Sequence, residues 1–92
     1  MAKNRFEQVD TPQPDAITLW LQKQDDGNWG TVTVPAALTM GKFETDRTSD
    51  RCSVVDAFRS AIHLANEIKA AVVVMDPDSL WQAEWGELYR PV

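Results

Sequence analysis

The chain has one cysteine and one histidine in 92 residues. A single thiol excludes an intramolecular disulfide and a cysteine-based metal site, and a single imidazole excludes a multi-histidine one; a reducing compartment fits. Lysine and arginine form no cluster. Nine bases face fourteen acids for a formal charge of −5, so phosphate backbones and anionic membranes are repelled. The longest apolar run, AAVVVM, is too short to span a bilayer, and MAKNR is followed by Phe6, Glu7 and Gln8 in place of the apolar stretch of a secretory signal. A cytoplasmic protein without nucleic-acid or membrane partners is the expectation. Catalytic, metal and nucleotide motifs are missing as well, and no cofactor is expected.

What the chain does have is the composition of a folded domain, 43% hydrophobic and 25% charged, so disorder is not expected. At this length there is one domain, and nearly every large apolar side chain is needed for its core. Residues 1–14, MAKNRFEQVDTPQP, carry two prolines and no clear period; they read as a loosely held arm, with Phe6 and Val9 able to anchor a short extended piece. The single domain then runs over 15–92. In ITLWLQKQDDGNWGTVTVP apolar and polar positions alternate on both sides of DDGN, which predicts a hairpin turning at Asp26-Gly27. That register sets Leu21 opposite Val32 and Leu19 opposite Val34, and sends Trp20, Trp29, Thr31 and Thr33 to the other face. Between residues 36 and 49 the pattern is weak, and a short strand or turn around Leu38 to Phe43 is expected in preference to a functional loop.

The spacing of Val54, Phe58, Ala61, Ile62, Ala65 and Ile68 predicts a helix, started by Ser53 with Asp56 three residues on, as in a capping box. Its far side carries Arg59, His63 and Glu67 one turn apart, so His63 points to solvent. The β-branched run AAVVVMD reads as a strand buried on both faces. The fold class is therefore α+β, a two-layer β-β-α-β arrangement with a small mixed sheet, the first strand lying between the second and third. In that order the third strand is an edge, to be covered by Leu38 to Phe43, by Phe6 to Val9, or by a second subunit. The aromatic tail is expected to pack on the sheet opposite the helix. There Ser79 would cap a short helical piece ending at Gly86, setting Trp81, Trp85 and Leu88 against Trp20 and Trp29.

The run from MGKFETDRTSDR through DPDSLWQAEWGEL resembles a group of short uncharacterised bacterial proteins and covers most of the chain. The resemblance implies a self-contained protein and brings no activity with it.

Five groups carry potential chemistry. Trp20, Trp29, Trp81 and Trp85 read as core that also offers a partner-binding surface. Arg47 and Arg51, with Asp50, precede the amides of a helix start and form a weak candidate for anion binding, against ordinary salt bridging. Asp76 and Asp78 end a buried strand, where catalytic or metal-binding carboxylates often stand, although Asp-Pro-Asp-Ser is also ordinary turn chemistry. His63 lacks a cleft, and Cys52 lacks a histidine to activate it. The expected function is a non-enzymatic interaction module, pairing with itself as a homodimer or with another protein. The rival is a small enzyme or anionic-metabolite binder using the Arg47 to Arg51 loop with Asp76 and Asp78.

Overall fold

The computed structural model describes residues 5–36 and 47–90. It is an α+β fold in which one helix lies on a seven-stranded mixed sheet. The elements in chain order are β1 (Arg5–Gln8), β2 (Ala16–Gln24), β3 (Gly27–Val34), β4 (Arg47–Thr48), β5 (Cys52–Ser53), α1 (Val54–Ile68), β6 (Ala71–Met75) and β7 (Glu87–Tyr89). Across the sheet the order is β4-β3-β2-β6-β1-β7, with β5 also on β3. As the sequence predicts, β2 lies between β3 and β6. Four strands, β2, β6, β1 and β7, are mutually parallel, so their carboxyl ends emerge on one side.

The hairpin forms, with its register two residues from the expected one. Gln24 pairs with Gly27, so Asp25-Asp26 is the turn, and Leu19 faces Val32 while Leu21 faces Gly30. Neither aspartate has a positive φ, whereas Gly27 does, at 139°. The bend is thus one that ordinary residues tolerate, and Gly27 absorbs the mismatch at the first strand position after it. A shift of two keeps every side chain on its expected face, because the pleat repeats every two residues.

Helix α1 begins as predicted, with the Ser53 hydroxyl accepting from the Asp56 amide at 3.1 Å. Its buried stripe is Val54, Ala57, Ala61 and Ala65, rotated from the expected one so that Phe58 and Ile62 are half-buried and Ile68 is exposed. The reason is size. Three alanines four residues apart let the helix settle close to the sheet, and at Gly30 a Cβ would come within 2.5 Å of the Ala57 Cβ. Ile17, Leu19, Leu21, Val32, Val72 and Val74 fill the space between.

Strand β6 is buried from Val72 to Met75. Of the covers expected for its edge, the Phe6 to Val9 segment supplies it. Part of the supposed arm is therefore strand β1, whose Glu7 and Gln8 pair with Val73 and Val74, and Val9 continues the contact by donating to the Val74 carbonyl at 2.8 Å. Burial of Phe6 anchors that segment, which its two later prolines had disguised. The expected element at Leu38 to Phe43 lies outside the described residues.

The tail departs most from expectation. It packs on the helix side of the sheet, not opposite it, and it does not touch the face of Trp20 and Trp29 through a helix of its own. Residues 83–85 form a single 3₁₀ turn ended by Gly86, and Leu88 stands in β7, paired with Phe6 of β1. Phe58 and Phe6 give Trp81 and Trp85 aromatic rings to pack against on the helix side.

Candidate functional site

Aromatic side chains collect in two places. On the helix side, the Trp85 ring stacks on Phe58 at 4.4 Å and 5°, and Trp81 meets Trp85 edge-on at 5.1 Å and Phe6 at 5.1 Å. The Trp81 Nε1 donates to the Gly86 carbonyl at 3.1 Å, which closes the turn on itself. Such pairs add roughly 0.5–1.5 kcal/mol each beyond the area they bury. Trp81 and Trp85 are half-buried and act as the lid of the core over Phe6 and Phe58.

The opposite face carries Trp20 and Trp29, as the alternation in β2 and β3 requires. Trp29 belongs to a clasp around the hairpin turn. Its Nε1 donates to Asp26 Oδ1 at 2.9 Å, and the Arg51 guanidinium lies 4.3 Å from its ring while donating to Asp26 Oδ2 at 2.9 Å. The Trp29 hydrogen bond, followed by that from Arg51, holds the Asp26 carboxyl below its ordinary value. Trp20 is different: it is 38% exposed and has no ring or hydrogen-bond partner among the described residues. Part of this face is closed beside it, where the Gln13 amide donates to Thr18 Oγ1 at 3.3 Å and leaves Thr18 1% exposed.

A cleft of about 250 Å³ opens at the carboxyl ends of the parallel strands. It is lined by Gln8 to Asp10 at the end of β1, Met75 to Pro77 at the end of β6 and Arg90 just after β7, together with Trp20 from the middle of β2, the partner of Met75. Clefts beyond the carboxyl ends of parallel strands are where open sheets place ligands. Its rim is an exposed ion pair, Arg90 Nη1 to Asp10 Oδ1 at 3.1 Å. A wider depression of about 500 Å³ is lined by Trp81, Ala83 and Gly86 to Leu88.

The other sequence candidates do not converge. Asp76 is 5% exposed and its carboxylate accepts the amides of Leu80 at 2.7 Å and Trp81 at 2.9 Å, so it folds the chain into the tail. Asp78 Oδ2 accepts the Lys23 amide at 3.0 Å and pins the same loop to β2. Arg47 pairs with Val34 at one end of β3, whereas the Arg51 side chain reaches Asp26 in the hairpin turn at the other. The structure does not bring the two arginines together. His63 is exposed, with Nε2 3.1 Å from Glu67. Burial, and secondarily the Asp56 carboxylate, push the Cys52 thiol up, which favours the unreactive protonated form. Among the described residues no group of three or more His, Cys, Asp or Glu is placed to hold a metal, and no helix is long and apolar enough to cross a membrane.

Sequence reasoning missed the cleft because Asp10 and Arg90 are 80 positions apart and meet only through the parallel pairing of β1 with β7. Comparison with family models, with curated proteins and with solved structures gives no match.

Proposed function

We propose that the protein is a non-enzymatic interaction module that associates with a second copy of itself through the sheet face opposite the helix. The observation that carries this reading is Trp20, 38% exposed in a nine-residue strand with no partner among the described residues. An indole so placed keeps a large apolar surface in water. Around it on the same face stand Gln22, Trp29, Thr31 and Thr33, all uncharged, on a molecule whose formal charge is −5. Two acidic copies repel in most orientations; the acids nearest this half-face, Asp26 and Asp10, are each paired with an arginine, Arg51 and Arg90, which lowers the repulsion there. Stacking two such faces about a twofold axis gives each sheet the second covering layer that one helix does not supply. The engagement of Asp76, Asp78 and Arg51 in holding the tail and the hairpin also favours a binding role over a chemical one.

Light scattering across a concentration series, on the wild type and on Trp20→Lys, tests this. The wild type is expected to rise from 10.4 kDa toward twice that mass, with the variant remaining at 10.4 kDa. A wild type that stays monomeric throughout overturns the reading.

A further inference from the structure

The strand-end cleft has its own chemistry, although it shares Trp20 with the face proposed for self-association. Val9, Trp20, Met75 and Pro77 line it and suit an apolar group, with Gln8 beside them. At about 250 Å³ it lies below the range of drug-sized pockets and has room for on the order of ten non-hydrogen atoms. Asp76 also lines it but is 5% exposed with both oxygens accepting backbone amides, so the charges available to a ligand are those of Asp10 and Arg90 at the rim. There, Asp10 and Arg90 are paired with side chains 78% and 55% exposed. A pair so wet contributes little to folding and opens readily. Opened, it presents one acid and one base at the mouth of an apolar pocket. A purely anionic ligand would meet repulsion from Asp10, and a purely cationic one from Arg90.

We propose that this cleft binds a free amino acid with an apolar side chain of leucine, methionine or phenylalanine size. The ligand carboxylate pairs with Arg90, its ammonium with Asp10, and its side chain enters between Trp20, Met75 and Pro77. Arginine suits the first task because its planar fork matches a carboxylate bidentately. The proposal goes beyond self-association; because both use Trp20, it concerns the monomer, in which the cleft is uncovered.

Isothermal titration of the dilute 92-residue chain, below the concentration at which scattering rises, reads the binding directly. L-leucine, L-methionine and L-phenylalanine are titrated to about 10 mM, a range that captures dissociation constants near 1 mM. Saturable binding is expected for at least one of them. N-acetyl-leucine, which lacks the ammonium, and leucinamide, which lacks the carboxylate, are expected to bind about tenfold more weakly or not at all, as is leucine to Asp10→Asn and Arg90→Gln. Both substitutions are on the surface, and an unchanged melting temperature establishes that they fold. Absence of saturable binding for all three amino acids overturns the proposal. Equal binding of leucine by the wild type and Arg90→Gln does so too, since the ligand would then lie elsewhere. The scattering experiment contains no amino acid, so failure of either reading leaves the other standing.

Discussion

At the scale of single residues, the fold rests on contacts whose purpose is visible only in three dimensions. Gly30 stands in a strand where a side chain would ordinarily help, yet a Cβ there would meet that of Ala57 at 2.5 Å. Gly30→Ala is therefore expected to push the helix off the sheet and to cost about 1–3 kcal/mol, as overpacking does, measured by denaturant unfolding. An unchanged midpoint would mean that the helix gives way freely. Asp26 makes a second case. Its carboxyl is held below the ordinary 3.8 by the Trp29 hydrogen bond and then by Arg51, so the folded state favours its ionised form. That contribution is complete above 3.8 and is lost as pH falls through the lowered value. The wild type is expected to melt above Asp26→Asn at neutral pH, with the gap closing as the solution is taken to about pH 2. A gap that persists in acid would assign the difference to packing. Neither role is written in DDGNWG, which reads only as a turn.

At the scale of elements, periodicity was informative and pairing was not. The helix and its Ser53 cap, the hairpin and the buried β6 are legible because each has a repeat of 3.6 or 2 or a local capping pattern. The hairpin register moved by two because nothing in DDGN says which two residues turn, while face assignment survived because the shift was even. Strand β7 escaped notice, and β1 was anticipated only as an extended piece of the arm able to cover β6, because the two are three and four residues long and pair in parallel across the whole length of the chain. The tail followed its aromatic partners, and Phe6 and Phe58 were on the helix side. What fixes the tail's entry is Asp76, through two charge-assisted bonds to the amides of Leu80 and Trp81. Asp76→Ala is expected to cost about 3 kcal/mol and to loosen the stacking of Trp85 on Phe58. Near-ultraviolet circular dichroism alongside chemical denaturation checks both effects. A variant with native stability and an unaltered aromatic signal would show that the rings hold the tail without help.

At the scale of the whole molecule, one layer of helix covers one side of a seven-stranded sheet, and the tail thickens that same side. The other side is closed beside Thr18 and open at Trp20. Three of the four tryptophans have defined internal partners: Trp29 in the hairpin clasp, Trp81 and Trp85 over Phe6 and Phe58. The expectation that all four form one partner-binding surface thus resolves into two clusters on opposite faces. The expected apolar edge of β6 no longer serves as a basis for association, since β2 and β1 flank that strand. The claim that remains is specific to one face. It is tested most directly by replacing Trp20 with the photo-crosslinker p-benzoylphenylalanine and, as a control, placing the same group at His63 on the exposed side of the helix. Irradiation of the purified protein is predicted to give an adduct of twice the 10.4 kDa chain from position 20 and none from position 63. No adduct from position 20, or equal yields from both positions, would contradict it.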